Sequence, residues 1–412
     1  MRTSRVTKRS VLATDVFLGA SVAAAGVVVV AAAALRGRLY ATFAAVILGI
    51  HTAIAVAMAP VVTALAPGWV WPVYAALHAA VYLHFGSLVR PALRPTWWRL
   101  AVSQPGSFFA AGTMLALPWA VASAFVASPP LPWIPYAIAL IGLVQSLRHT
   151  AEERDITIDR APVGLLGRHP HGDQRVERPL RIVQITDPHL GPFMPVSRLR
   201  AIVERAVARD PDLVLLTGDY LTMESHEAQD GLIEALEPLR RLPGRVFACR
   251  GNHDHEAPEV VARAMEAVGA RLLIDEAELV ETPAGPVQVL GLDFHFRRRH
   301  ERIEAACAAH PRVAGALRLV LLHDPGAFVH VPAGDADLVL AGHTHGGQLG
   351  LLSLGLPHTI VSALTRIPDH GLWAHGENRM YVHRGTGHYG FPLRVGVPAE
   401  ESLLRVHDVT GR

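Results

Sequence analysis

Residues 181–191 read RIVQITDPHLG, an apolar and partly β-branched run that is followed at once by Asp187 and His189. The run predicts a buried strand, because short segments of this composition fit the interior of a sheet. Asp187 and His189 occupy alternate positions, so in an extended chain their side chains leave the same face. A carboxylate and an imidazole on one face predict a pair of ligands for a metal ion.

Four more blocks in the second half of the chain repeat this arrangement of an apolar run followed by metal-binding residue types. They are Gly218-Asp219 after DLVLLT, Gly251-Asn252-His253-Asp254 after RVFAC, His323 after LRLVLL, and Gly342-His343-Thr344-His345 after DLVLA. Amphipathic stretches at 198–209, 229–242 and 258–268 lie between the runs. Strands that alternate with helices favour an α/β fold with largely parallel sheets, in which ligand residues follow the carboxyl ends of the strands.

The blocks supply more ligands than one tetrahedral site needs. Seven residues qualify: Asp187, His189, Asp219, Asn252, His323, His343 and His345. This number suits two adjacent metal sites, and a carboxylate such as Asp219 has two oxygens with which to bridge them. By formal counting, two divalent ions outweigh Asp187, Asp219 and a bridging hydroxide by about one positive charge, which suits an anionic phosphate ester. The imidazole-rich set favours manganese, iron or zinc over magnesium or calcium.

The first 150 residues or so are almost continuously apolar, whereas the rest has ordinary globular composition. A helix needs roughly 20 apolar residues to span a bilayer, and all but the last apolar segment reach that length. We therefore expect an all-α transmembrane region of four or five helices over residues 1–147. The apolar segments lie at 13–35, 40–65, 70–89, 107–127 and 130–147.

Basic residues in the short loops predict the orientation of these helices. Arginines follow the first, third and fifth segments, whereas the loops around Pro67 and Pro129 have none. The alternation places the chain after the fifth segment in the cytoplasm, in a multi-pass protein of the cell (inner) membrane. The basic residues 2–9 would then face outward unless the first segment does not span. The arginines concerned are Arg36, Arg38, Arg90, Arg94, Arg99, Arg148 and Arg154.

Residues 148–179 are charged, contain Pro and Gly and lack sustained periodicity, which predicts a connector between the membrane region and a catalytic domain at 180–412. The net charge of +2 is too small to favour nucleic acid as a partner. The two cysteines, Cys249 and Cys307, are far apart in the chain and form no CxxC spacing. This excludes a disulfide scaffold and a cysteine-based zinc site.

The ordered motifs TDPHLG, LLTGDY, CRGNHD, LLHDP and AGHTHGGQ resemble the calcineurin-like metallophosphoesterase superfamily over about residues 180–406. The GHTHGGQ motif behind membrane segments is similar to its membrane-associated bacterial branch, which includes phosphodiesterases and UDP-diacylglucosamine pyrophosphatases. The resemblance implies a calcineurin-like αββα sandwich of two mixed sheets. It also implies hydrolysis of a phosphomonoester, phosphodiester or pyrophosphate bond by a metal-activated hydroxide.

The resemblance also implies roles for individual residues. Asp187, His189, Asp219 and His345 match the first metal site, and Asp219, Asn252, His323 and His343 match the second, with Asp219 bridging and manganese as the favoured metal. His253 matches the histidine that contacts the phosphate and protonates the leaving oxygen. An imidazole beside a ligand asparagine can act as such an acid near neutral pH. Asp254 is expected to orient His253, as carboxylates often do for histidines.

A membrane anchor favours a lipid-linked phosphate ester as substrate, such as UDP-diacylglucosamine, with membrane lipids as further partners. Two alternatives remain at this stage. A nuclease or cyclic-nucleotide phosphodiesterase of the same superfamily is one, although no basic groove for a polynucleotide is visible. A non-catalytic membrane scaffold is the other, although all seven ligands and His253 are present. The oligomeric state stays open.

Overall fold

The computed structural model describes residues 2–64, 68–126 and 129–411, and it describes side chains from residue 15 onward except that of residue 63. The basic side chains of residues 2–9 and most of the loop at Pro67 thus lie outside the described residues. The chain divides into two compact units. The helical unit comprises Met1–Val144 with Gly390–Leu393, and the catalytic unit comprises Gln145–Tyr389 with Arg394–Arg412.

The N-terminal part of the chain is helical. Its helices are α1 (Arg2–Leu35), α2 (Arg38–Ala64), α3 (Val70–Ser87), α4 (Thr96–Trp98), α5 (Gln104–Leu115), α6 (Leu117–Ala122) and α7 (Ile134–Ser146), with a π-helical turn at Arg99–Ser103. Within the described residues, two stretches are long and apolar enough to cross a membrane, judged by length and composition: Asp15–Leu35 and Arg38–Val62. The presence of four or five spanning helices stays a prediction.

The fourth predicted membrane segment is interrupted in the structure. Helix α5 ends at Leu115, and α6 begins at Leu117 with Pro118 in its first turn. Proline has no N–H group and its ring clashes with the preceding turn, so it starts a helix more readily than it continues one.

The catalytic unit contains two mixed sheets in an α/β arrangement. The first has the strand order β1-β13-β3-β4-β5-β6, and the second has the order β2-β11-β12-β10-β9-β8-β7. The strands of the first sheet are β1 (His149–Ile158), β3 (Leu180–Ile185), β4 (Leu213–Leu216), β5 (Val246–Ala248), β6 (Arg271–Leu272) and β13 (Ala399–Asp408). Those of the second are β2 (Val163–Arg168), β7 (Glu276–Thr282), β8 (Gly285–Gly291), β9 (Leu317–Leu321), β10 (Leu338–Ala341), β11 (Gly371–Gly376) and β12 (Asn378–Val382).

The two sheets share one hydrophobic core. Ile182, Leu215 and Phe247 of the first sheet pack in the same buried cluster as Val289 and Leu319 of the second. Each buried side chain of this kind contributes about 1.5–3 kcal/mol. The helices of this unit are α8 (Val196–Ala208), α9 (Gln229–Leu236), α10 (Pro258–Val268), α11 (Arg299–Ala309) and α12 (Ile360–Leu364).

The packing of the two sheets determines where the five blocks of predicted ligand residues lie. Asp187, Gly218 and Gly251 follow parallel strands β3, β4 and β5 of the first sheet. His323 and Gly342 follow parallel strands β9 and β10 of the second. The blocks therefore meet where the carboxyl ends of strands from two sheets come together, rather than at the edge of one.

The prediction of a connector at residues 148–179 is corrected by two edge strands. β1 pairs in parallel with β13, from His149 opposite Ala399 to Ile158 opposite Asp408, and β2 pairs with β11. Ile156 and Ile158 are buried in the core between the sheets. The remainder of β1 is charged because an edge strand has one open side, and such strands lack the apolar alternation by which strands are recognised.

Candidate metal centre

Six of the seven predicted ligands lie in two groups of three. Within each group, the ligand atoms are all within 4.8 Å of one another: Asp187, His189 and His345 form one, and Asp219, His323 and His343 form the other. The Nε2 atom of His323 lies 3.2 Å from Oδ2 of Asp219, and Nε2 of His345 lies 3.3 Å from Oδ1 of Asp187.

Asp219 lies between the two groups. Its Oδ2 atom is 3.9 Å from Nε2 of His189 in the other group, in addition to its contact with His323. Its Oδ1 atom accepts a hydrogen bond of 2.9 Å from the backbone N–H of His253. Oδ1 of Asp187 is likewise 3.9 Å from Nε2 of His323 in the other group. Either carboxylate therefore fits a bridge between two metal ions, and the assignment of the bridge to Asp219 stays a prediction.

Asn252, the seventh predicted ligand, is placed beside these groups by the loop that contains His253. Its Oδ1 atom is buried and has no hydrogen-bond partner within the residues that the structure describes. Nε2 of His323 is likewise buried without a hydrogen bond there. Buried polar atoms are nearly always paired, so these two atoms fit coordination to a cation.

Two histidines are oriented by backbone carbonyls. Nδ1 of His323 donates to the carbonyl oxygen of Thr217 at 2.6 Å, and Nδ1 of His189 donates to that of Leu221 at 3.2 Å. Since Nδ1 keeps the proton, the Nε2 lone pair is left to face the centre. Burial lowers the pKa of His189 to about 3, which keeps its imidazole neutral.

His323 experiences opposing effects. Burial lowers its pKa, but the carboxylates of Asp219 and Asp187 outweigh burial and raise the pKa to about 10. Their negative charge favours any cation at Nε2, a proton or a metal ion alike.

Three glycines precede ligand residues because a larger residue would not fit. A Cβ atom on Gly251 would lie 2.2 Å from Oδ1 of Asp219, and one on Gly342 would lie 2.2 Å from Oδ2 of Asp187. Gly218 has a φ of +97°, and a Cβ atom there would lie 2.8 Å from Nδ1 of His323. The glycines therefore leave room for the side chains of Asp219, Asp187 and His323 to lie against the backbone of a neighbouring loop.

The expectation that paired ligands alternate on an extended chain is corrected. Asp187 and His189 have φ values of 51° and 49°, and His343 and His345 have 67° and 52°. These residues adopt left-handed backbone, which costs a non-glycine residue on the order of 1 kcal/mol or more. Such strained residues cluster at functional sites, where the surrounding fold holds them in place.

Asp254 is the residue expected from the sequence to orient His253, but the hydrogen bonds of its carboxylate go to backbone. Its buried carboxylate accepts backbone N–H bonds from Asp219 and Gly251 at 2.8 Å and from Tyr220 at 2.9 Å. Burial raises the pKa of Asp254 to about 7. The partner of His253 is Glu256, whose Oε1 atom lies 2.9 Å from Nδ1. Because an exposed 3₁₀ turn brings position i+3 next to position i, Glu256 could have been found from its spacing.

Other side chains around the centre have no recognisable signal in the sequence. The ring of Tyr389 lies 4.2 Å from that of His253 and 4.9 Å from that of His189, measured between centroids. Nη2 of the buried Arg394 donates to Nδ1 of His345 at 3.2 Å. Both residues lie more than forty positions from their partners in the chain, so the contacts form only in the tertiary fold. Local sequence patterns therefore do not reveal them.

Comparison with known proteins identifies the family. A family model described as calcineurin-like phosphoesterase matches residues 180–347. Phosphodiesterase YaeI of Escherichia coli strain K12 is 30% identical over 233 residues, which cover 55% of this chain and 82% of YaeI. The chain belongs to the calcineurin-like phosphoesterase family. It is therefore a metal-dependent phosphoric ester hydrolase, and members of this family use a dinuclear centre of divalent metal ions.

Two further relatives are similar over longer alignments. A zebrafish (Danio rerio) protein named transmembrane protein with metallophosphoesterase domain is 29% identical over 278 residues, which cover 64% of this chain and 59% of that protein. UDP-2,3-diacylglucosamine pyrophosphatase LpxG of Chlamydia muridarum is 26% identical over 289 residues, which cover 58% of this chain and 84% of LpxG.

We expect Gly251→Ala to remove bound metal, because the new methyl group would displace the carboxylate of Asp219. Elemental analysis of the purified protein should show a fall from about two divalent ions per chain to about one or fewer. Gly164→Ala is the control, since a Cβ atom there meets nothing within 4 Å. Full metal content in Gly251→Ala would contradict the placement of Asp219.

Proposed function

We propose that this chain is a membrane-anchored phosphodiesterase or pyrophosphatase that hydrolyses a lipid-linked phosphate ester through two divalent metal ions. The observation that carries the proposal is the convergence of two ligand groups on Asp219. A centre of that composition activates water and neutralises phosphoryl oxygens when the metals are bound.

The distances support one division of the ligands. Asp187, His189 and His345 would hold one ion, and Asn252, His323 and His343 would hold the other, with Asp219 shared. The unpaired Oδ1 atom of Asn252 completes the second set. Imidazole-rich ligands favour manganese, with iron or zinc as the other candidates.

His253 is proposed to hold the proton that passes to the leaving oxygen. Its backbone N–H is bonded to Asp219, so the imidazole is held at the edge of the centre. Glu256 accepts from Nδ1 and thereby orients the ring, while Tyr389 packs against it. Asp254 supports the reaction indirectly, because it holds the loops that present Asp219 and Asn252.

The lipid-linked substrate is proposed from the apolar helices and from the relative LpxG, whose name records an activity on a diacylated nucleotide sugar. A membrane anchor keeps a catalytic unit near amphiphilic substrates, which raises their local concentration. UDP-2,3-diacylglucosamine is the first candidate.

The arginines after the first, third and fifth apolar segments favour a cytoplasmic catalytic unit in a multi-pass protein of the inner membrane. We expect a reporter that is active only in the cytoplasm to be active when fused after Arg154. Activity of an externally active reporter at the same position would contradict this orientation.

We expect the purified chain with manganese to hydrolyse UDP-2,3-diacylglucosamine in mixed micelles faster than a soluble chromogenic phosphodiester. Asp219→Ala should lower kcat/KM for both by more than the roughly 10–100-fold that loss of a supporting hydrogen bond costs at a metal site. Asp230→Ala, which removes an exposed carboxylate in helix α9, is the control. Equal rates for Asp219→Ala and the control would defeat the proposed centre, and equal rates for the two substrates would defeat the lipid preference.

We expect His253→Ala to keep its metal but to lose about 10²–10⁴ in kcat, because general acid catalysis contributes that much. The loss should be largest for esters with poor leaving groups, which need the proton most. Glu256→Gln should show a smaller loss, roughly tenfold, with the same dependence on the leaving group. If elemental analysis showed that His253→Ala had also lost its metal, the role of His253 would be wrong.

A further inference from the structure

The segment between the GHTHGGQ motif and strand β11 exposes a row of large apolar side chains. The most exposed are Leu354 and Leu364, with 73% and 76% of their surface accessible. Contiguous exposed apolar surface is uncommon on soluble proteins and marks sites of contact with a protein, a ligand or a membrane. The row, which we call the apolar segment, comprises Leu351, Leu354, Leu356, Ile360, Leu364 and Ile367.

Hydrogen bonds hold the apolar segment in one conformation. Thr359 caps helix α12 through a reciprocal pair of bonds with Ser362, and its hydroxyl donates to Oδ2 of Asp369 at 2.5 Å. Oδ1 of Asp369 accepts a bond of 2.7 Å from Arg168. The backbone N–H of Leu351 donates to the carbonyl of His358 at 2.8 Å. The leucines are therefore exposed on a segment whose backbone and polar side chains are hydrogen-bonded.

The apolar segment packs against the backbone that presents His345. Gly347 follows His345 by two positions, and a Cβ atom on it would lie 3.0 Å from Cγ2 of Val361 and 3.1 Å from Cγ2 of Ile360. The hydroxyl of Thr344 donates to the carbonyl of Asp369 at 2.8 Å. The exposed leucines thus belong to the same packed structure as the metal centre.

The other neighbour of the apolar segment is the end of helix α7. Nε2 of Gln145 donates to the hydroxyl of Ser353 at 3.0 Å, and Oε1 of Gln145 accepts from the backbone N–H of Gly396 at 2.7 Å. Helix α7 has the sequence IPYAIALIGLVQS, which is apolar apart from the Tyr136 hydroxyl until it ends in Gln145 and Ser146. The point at which an apolar helix enters the catalytic unit is therefore bonded to the apolar segment.

The charge of the apolar segment suits a lipid surface. Residues 349–370 contain one Arg or Lys side chain, Arg366, and their one acidic side chain, Asp369, is buried and paired with Arg168. Membrane-surface segments combine apolar side chains with basic ones, because the acyl region takes up the former and anionic headgroups attract the latter.

We propose that the apolar segment docks onto the membrane and inserts Leu354 and Leu364 into the boundary between headgroups and acyl chains. This inference rests on the proposed function and deepens it, since it explains how a lipid-linked phosphate reaches the metal centre. Docking at this place sets the centre at the membrane surface, so the substrate's chains can stay in the leaflet while its phosphate binds.

Site-specific fluorescence in the full chain tests the docking. Both native cysteines are buried, so Leu354→Cys and Leu364→Cys can be labelled selectively with an environment-sensitive dye. Leu279→Cys, at an exposed leucine of strand β7, is the matched control. In vesicles of phosphatidylethanolamine and phosphatidylglycerol that contain spin-labelled lipid, we expect at least twofold stronger quenching at the two docking positions than at the control.

Quenching equal to that of the control would overturn the docking. So would blue-shifted emission in lipid-free detergent that depended on protein concentration, because a second copy of the chain would then be the occupant. Neither result bears on hydrolysis, which the Asp219→Ala comparison tests separately.

An activity measurement separates docking from catalysis. We expect the double variant Leu354→Ser and Leu364→Ser to raise KM for the lipid-linked substrate in vesicles at least fivefold and to leave hydrolysis of the soluble diester unchanged. Leu279→Ser should change neither. An unchanged KM in vesicles would overturn the docking, whereas failure of the wild type to hydrolyse any ester would instead overturn the proposed function.

Discussion

The carboxylate of Asp254 accepts three backbone N–H groups, and the geometry of the centre depends on them. The bonds to Asp219 and Tyr220 hold the loop after β4, and the bond to Gly251 holds the loop after β5. A buried acceptor that satisfies three donors fixes the backbone of both loops at once, since leaving any of these groups unpaired would cost about 1–3 kcal/mol. Asp219 can therefore keep its left-handed backbone, with a φ of 56°, without relaxing.

Hydrogen bonds from side chains to backbone also join the two sheets. Gln184 of β3 donates to the carbonyl of Ala341 at the end of β10, and His323 donates to Thr217 across the same boundary. The backbone N–H of His343 in turn donates to Oδ2 of Asp187 at 3.0 Å. Oδ1 of Asp187 also lies 3.3 Å from Nε2 of His345, so the carboxylate that binds this backbone would also be in place to hold a metal ion. This explains why the ligands converge although they come from separate sheets.

Aromatic side chains and helix α12 surround the ligand residues. The ring of Phe294 lies 6.0 Å from that of His343, and the ring of Tyr389 lies 4.9 Å from that of His189 and 4.2 Å from that of His253. Aromatic rings at these distances give the ligand histidines apolar neighbours. Helix α12 packs against Gly347, two positions after His345, so the apolar side chains that it exposes adjoin the backbone of the GHTHGGQ motif. The metal centre and the proposed lipid-docking side chains thus belong to adjoining parts of the catalytic unit.

The sequence by itself determined the alternation of strands and helices, the seven candidate ligands and the family, because each of these depends on residue type and on short spacing. The boundaries of α10 agree closely with its amphipathic pattern at 258–268. Only the tertiary structure decided that β1 and β2 are edge strands and that Tyr389 and Arg394 adjoin the ligands. Local periodicity records whether a side chain faces a core, but it contains no information on which distant residue it will meet there. That choice depends on the packing of two sheets, which brings together loops from the whole length of the catalytic unit.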